Sequence, residues 1–122
     1  MEYRNDRLTE SIIARVIKVH QVLGPGFLES IYRNALLLEF ANAALRCESE
    51  KEIVIQYSGV EVGRHRLDLL IESQVVVELK TVQELNALHY AQLRSYLKAT
   101  GLRIGLLVNF SKYQADYRRV EF

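Results

Sequence analysis

Six residues constrain this chain more than any others: Val75-Val76-Val77-Glu78-Leu79-Lys80. A β-branched apolar run of this kind reads as a strand covered on both faces, and so as one in the middle of its sheet. Here the run passes directly into a carboxylate and an ammonium. Burying an unpaired charge costs several kcal/mol, so such a strand ends where its charges find a partner, a proton or a metal ion. Side chains alternate along a strand, which puts Glu78 and Lys80 on one face and Leu79 on the other.

The preceding segment supplies a third charge. Arg64–Ile71 reads as a second strand, and Glu72-Ser73-Gln74 is a polar break before the valines. With those three residues as the hairpin loop, Asp68 falls opposite Glu78. Directly opposed residues have Cβ atoms roughly 4.5–5.5 Å apart and project from the same face. Two carboxylates so placed repel each other until a proton, a cationic side chain or a divalent cation intervenes. Lys80 and Mg²⁺ are both candidates.

The bulk properties bound the rest. A chain of 122 residues is sized for one domain, spanning 1–122, with a sizeable core. Its 49% apolar and 25% charged content is that of an ordinary globular protein, and a net charge of +1 argues against a strongly basic nucleic-acid coat. A local basic groove remains compatible with that balance. A single cysteine, Cys47, forms no internal disulfide, which points to a reducing cytoplasm. Met1–Arg7 is polar and charged, unlike a signal peptide or membrane anchor, and no run of roughly 18 apolar residues follows. The histidines and the cysteine lack zinc-ligand spacing.

Taken in order, Ile12, Ile13, Val16, Val19 and Leu23 recur at helical steps, predicting a helix over about 8–23 with Thr9 as its cap. Gly24-Pro25-Gly26 stops it. A second helix is predicted from near Phe27 to about Ala44, with Leu28, Ile31, Ala35 and Leu38 as its buried stripe and Glu29 in its first turn. By pattern alone Glu29 is a dipole-compensating surface acid. Alternation over Glu52–Tyr57 predicts a first strand, followed by a turn region around Val60, Glu61 and Val62. Asn86 caps a helix reaching Thr100 that buries Leu88, Leu93, Tyr96 and Leu97. His89, Gln92 and Tyr96 line one stripe of it, either as a boundary against the sheet or with Gln92 facing the charged end of the valine strand. Arg103–Asn109 is a further buried strand, parallel to the valine strand through the intervening helix. Asp116–Phe122 is an edge strand whose Arg118 and Arg119 either bind phosphate or protect the edge. On pattern alone, Lys80 neutralising Asp68 and Glu78 in a structural triad stands level with a catalytic site.

The order helix, strand, strand, strand, helix, strand, with Asp68 and then Glu78-Leu79-Lys80, resembles the PD-(D/E)xK nuclease superfamily. Gly26-Phe27-Leu28-Glu29-Ser30-Ile31-Tyr32 is similar to the GxxExxY signature of one branch of it. His89-Tyr90-Ala91-Gln92-Leu93 and Tyr96-Leu97-Lys98-Ala99-Thr100-Gly101 resemble further segments of that branch. One departure is visible: Leu67 stands where the superfamily's name expects proline. The resemblance implies a restriction-endonuclease-like α/β fold, a three-layer α/β/α core with a mixed sheet of about five strands in order 1-2-3-4-5. The second and last strands run antiparallel to the rest. It further implies that Asp68 and Glu78 hold Mg²⁺ (or Mn²⁺), that Glu29 adds a carboxylate, that Lys80 assists the attacking water and that Gln92 faces the site.

The expected function is therefore Mg²⁺-dependent hydrolysis of nucleic-acid phosphodiesters, with DNA as the expected substrate. A catalytically inactive nuclease-fold module that binds nucleic acid or protein is the alternative. A homodimer pairing two clefts on a duplex is a further expectation, and no membrane partner is expected.

Overall fold

The computed structural model describes residues 6–122, so the reading of Met1–Asn5 lies outside the described residues. The elements in order are α1 (Asp6–Leu23), α2 (Glu29–Asn42), β1 (Cys47–Tyr57), β2 (Val60–Ile71), β3 (Val75–Lys80), α3 (Ala87–Thr100), β4 (Ile104–Asn109) and β5 (Asp116–Glu121). The five strands form one sheet in the order β1-β2-β3-β4-β5. β3 and β4 are parallel and the other neighbouring pairs antiparallel, so β2 and β5 oppose the remaining three. The parallel pair follows from α3, which carries the chain back across the sheet between them.

β3 lies in the centre, and Val75 through Leu79 are all buried. One face of the sheet, through Leu69, Ile71, Val75, Val77, Leu79, Leu106 and Val108, packs on α1 and α2. The other, through Leu70, Val76, Leu107 and Val120, packs on Leu93 and Leu97 of α3. A strand buried on both sides has no polar alternation, which is why the valine run reads as it does. Gly105 on β4 lets α3 approach: a Cβ there would lie 2.8 Å from Leu93 Cδ1.

α1 buries Ile12, Val16 and Val19 as their spacing predicts. Thr9 is no cap; it lies inside the helix, buried, with its hydroxyl unpartnered among the described residues. The stripe expected for α2 is also corrected. Tyr32, Leu36 and Phe40 face the core and Ala35 packs against it, while Leu28 and Leu38 are 73% and 69% exposed and Ile31 is 39% exposed. This helix is apolar on most sides, so periodicity alone did not select a face; the two aromatics did, because burying them removes the most apolar area from water. Leu88 of α3 is likewise exposed.

Tyr32 also fixes how α2 begins. Its hydroxyl donates to Gly24 O at 2.6 Å and accepts from Phe27 N at 3.2 Å, and its ring stacks on Phe110 with centroids 4.2 Å apart. Gly24 and Gly26 have φ of +69° and +112°, a region glycine enters without strain. The tyrosine thus latches the Gly-Pro-Gly connection shut and sets Glu29 at the N-terminal turn of α2.

The β2–β3 loop is Glu72-Ser73-Gln74 as read, since Ile71 pairs with Val75 and both Glu72 and Ser73 have positive φ. The β1–β2 connection is tighter than expected. Only Ser58 and Gly59 turn, with Val60–Gly63 already in the strand and one residue absorbed as a bulge after Ile55.

Candidate metal centre

The regular pairing of β2 with β3 stops one step short of the two acids. Leu69 pairs with Val77, Leu70 with Val76 and Ile71 with Val75. At the next step side chains replace the backbone ladder. Asp68 N donates to Glu78 Oε2 at 2.8 Å, and Leu79 N donates to Asp68 Oδ2 at 2.7 Å. Each carboxylate spends one oxygen on the opposite strand's N–H and keeps the other.

The strand bends where this happens. On β1, Glu50 has a φ of +54° and makes no pair with Asp68, although the Ser49–Leu69 and Lys51–Leu67 pairs on either side keep one register. Across from it, Leu67 packs in the α3 layer although Leu69, two residues on, packs in the α1/α2 layer. An undistorted strand would put both on one face. The strand changes face across Asp68, where the β2–β3 backbone ladder ends.

Burial makes the site electrostatically uneasy. Glu78 is 5% exposed, and its carboxyl is pushed up to about 8, first by burial and then by the Asp68 charge. The Asp68 N–H and Lys80 pull the other way. Asp68 is also raised, mainly by burial, against the opposing Leu79 N–H, Lys80 and Arg33. Glu29 reaches the same field from α2. Burial and then Asp68 raise it, while Lys80, the Thr81 backbone and Arg33 lower it. Lys80 therefore acts on all three acids, yet among the described residues it makes no ion pair within 4.0 Å. That is not the closed structural triad that residue pattern alone would allow.

Lys80 is held by the backbone around it. It pairs with Asn109 across the parallel ladder, and Phe110 N donates to Lys80 O at 3.0 Å. The fully buried Asn109 amide accepts from Val82 N at 3.1 Å and donates to Val82 O at 2.7 Å, which fixes the turn after Lys80.

On the α3 side Gln92 is half-buried, one turn before Tyr96 and on the same side of the helix. Tyr96 reaches the site: Glu78 and Asp68 add to the burial that raises its phenol. Its ring stacks on His65 of β2, with centroids 3.8 Å apart and an interplanar angle of 15°. His65 Nε2 lies 3.7 Å from Glu78 Oε1. His89 does not join this group, because it closes a capping box with Asn86. Arg118 and Arg119 are engaged with Asp116 at 2.9 Å and Glu121 at 3.3 Å on the outer strand.

The structure thus brings Asp68, Glu78, Lys80 and Glu29 into one electrostatic neighbourhood, while Gln92 lies one helical turn from Tyr96, which that neighbourhood reaches. Three members were missed by the sequence reading: His65, Arg33 and Asn109. His65 is three residues before Asp68 on the same strand, and Arg33 is one turn after Glu29 on α2, so both carried a weak signal in their spacing. Among the described residues no three His, Cys, Asp or Glu side chains stand close enough together to hold a metal ion. Among them also, no helix is long and apolar enough to cross a membrane.

The PD-(D/E)XK nuclease superfamily model matches residues 6–120. Among solved structures the chain is similar to the crystal structure of SSO0001, with 23% identity and a TM-score of 0.59 over 96% of this chain and 58% of that one. It is also similar to an alkaline exonuclease (LHK-Exo) from Laribacter hongkongensis, with 12% identity and a TM-score of 0.51 over 93% of this chain and 81% of that one. At these identities the likeness is one of fold, and the chain spans little more than half the length of SSO0001. No curated protein matches.

Proposed function

The chain belongs to the PD-(D/E)XK nuclease superfamily, and from that membership we propose that it is a divalent-metal-dependent nuclease of the GxxExxY branch, cleaving phosphodiester bonds of nucleic acid, with DNA as the expected substrate. One observation carries the reading. Two carboxylates, the buried Glu78 and the half-buried Asp68, each tie down one oxygen on a neighbouring strand and leave one over, beside an ammonium that pairs with neither.

The donors fit a hard divalent cation. They are carboxylate oxygens, which suit Mg²⁺ or Mn²⁺; burial and then the Asp68 charge raise the Glu78 carboxyl, and a cation would offset both. Asp68 and Glu78 would hold the ion, with Glu29 adding a third carboxylate from α2. Bound there, such an ion neutralises phosphate charge and makes water a better nucleophile.

The remaining work falls to the chain's own groups. The backbone N–H of Leu79 and that of Asp68 keep the two carboxylates from rotating away. Lys80, a compact charge at a fixed strand end, orients the attacking water and offsets charge developing on the phosphate oxygens. Gln92 hydrogen-bonds that water or a ligating carboxylate. The stacked His65–Tyr96 pair stands next to the buried Glu78, with His65 Nε2 3.7 Å from its Oε1.

The test is cleavage by the purified chain of single- and double-stranded DNA and RNA with Mg²⁺ or Mn²⁺. Turnover that disappears with chelator, and in Glu78→Ala and Lys80→Ala, is the expected result. Nucleic-acid binding that persists without metal and never leads to cleavage would instead mark a binding module that retains the nuclease fold.

A further inference from the structure

Resting on the metal-site reading just given, we propose that His65 is an inner-sphere nitrogen ligand of the divalent cation held by Asp68 and Glu78. His65 Nε2 is sealed from solvent and, among the described residues, has no hydrogen-bond partner. Buried polar atoms are nearly always satisfied, so an unpartnered one beside a cluster of acids asks for an explanation.

The geometry supplies one. Stacking on Tyr96, with centroids 3.8 Å apart, fixes the plane of the imidazole. Nε2 of that ring lies 3.7 Å from Glu78 Oε1. Oε1 is the oxygen left over when Oε2 accepts the Asp68 N–H. Two donor atoms without other partners among the described residues therefore stand on either side of one gap. The gap is too wide for a hydrogen bond, whose limit is about 3.2 Å for nitrogen and oxygen. Bonds of about 2.1 Å to each side would let a single ion touch both. Asp68, with its own spare oxygen, and Lys80 are the other charged groups that act on the His65 ring. The cage closes on binding, and water fills the positions that these side chains leave.

A nitrogen ligand changes which ion the site prefers. Carboxylates alone suit Mg²⁺; adding imidazole shifts preference toward later first-row ions. The site assigned here therefore binds Mn²⁺ more tightly than Mg²⁺, and by a margin that depends on His65.

The experiment titrates the full chain with Mn²⁺ alone, without nucleic acid, and reads affinity by calorimetry and nitrogen coordination by pulsed electron paramagnetic resonance. The wild-type protein is expected to show directly coordinated ¹⁴N coupling. His65→Gln should lose that coupling and weaken Mn²⁺ binding by at least about 10- to 100-fold, the range for losing a group that merely supports a ligand. Mg²⁺ binding should weaken less. Tyr96→Leu, which frees the ring without removing it, should keep the coupling while lowering affinity. Mn²⁺ bound through Asp68 and Glu78 with no ¹⁴N coupling would overturn the role of His65 and leave the carboxylate site standing. No Mn²⁺ binding at all would overturn both. The wild-type spectrum decides even if His65→Gln fails to fold.

Discussion

The two ends of the β2–β3 pair are held together by different chemistry. At the loop end, Leu69–Ile71 and Val75–Val77 pair through their backbones, and their side chains fill two apolar layers. At the far end the ladder is replaced by the Asp68 and Glu78 carboxylates, which take the opposite strand's N–H groups. The first arrangement satisfies every group and leaves nothing over. The second satisfies the backbone but leaves two carboxylate oxygens, an imidazole nitrogen and an ammonium unspent. The same two strands are thus a structural unit at one end and a reactive one at the other, separated by a single register step.

The widest expected contrast is in turnover. Glu78→Ala should abolish cleavage, and Lys80→Ala should lower it by about 10²–10³-fold, the effect of losing one group that stabilises transition-state charge. Rates for the two variants against the wild type would check this, with melting followed in parallel. Retained turnover in both would erase the functional difference between the ends.

Next in size is the apolar side. Leu36→Ala should cost about 2–5 kcal/mol, because that side chain is fully buried. Leu38→Ala, two residues away and mostly exposed, should stay within about 0.5 kcal/mol. Denaturant unfolding of both variants measures the contrast. Equal losses would restore the stripe that the sequence first suggests.

The acid end should also respond to pH in the direction opposite to most carboxylates. Glu78 is raised from 4.5 to about 8 in the folded chain. Between those values the folded state binds more protons than the unfolded one, so stability falls as pH rises through the window. Without metal, the melting temperature should drop between about pH 5 and 8, by the equivalent of a few kcal/mol. Glu78→Gln, which keeps an oxygen for the Asp68 N–H, should flatten that slope and melt higher than wild type at pH 8. For the same reason, metal binding should release a proton and tighten as pH approaches 8. A slope unchanged in Glu78→Gln would assign it to another group.

The smallest effect concerns the latch on α2. Tyr32→Phe removes the hydroxyl that joins Gly24 O to Phe27 N but keeps the ring on Phe110. The expected loss is about 1–2 kcal/mol. Because the latch sets the start of α2, the variant also tests whether Glu29 depends on it. Metal affinity should fall if Glu29 serves the site, and only the melting temperature should change if Glu29 does not.

Local pattern made much of this legible. Three valines running into Glu78 and Lys80 fixed a central strand with a charged end, and a three-residue polar break placed Asp68 beside it. Both are short-range consequences of alternation and turn length. Helix and strand order followed from periodicity, and sheet order and strand directions from the resemblance that those motifs carried. What the residues could not decide was which face an apolar-all-round helix turns inward, since Leu28, Ile31 and Leu38 are as greasy as Tyr32, Leu36 and Phe40. Nor could they show that β2 changes face at Asp68, or that His65 from one strand and Tyr96 from a helix stack next to Glu78. Those outcomes depend on contacts between segments far apart in the chain. Close packing chooses among them by volume and by the hydrogen bonds each arrangement can satisfy, and neither is written in any one stretch of sequence.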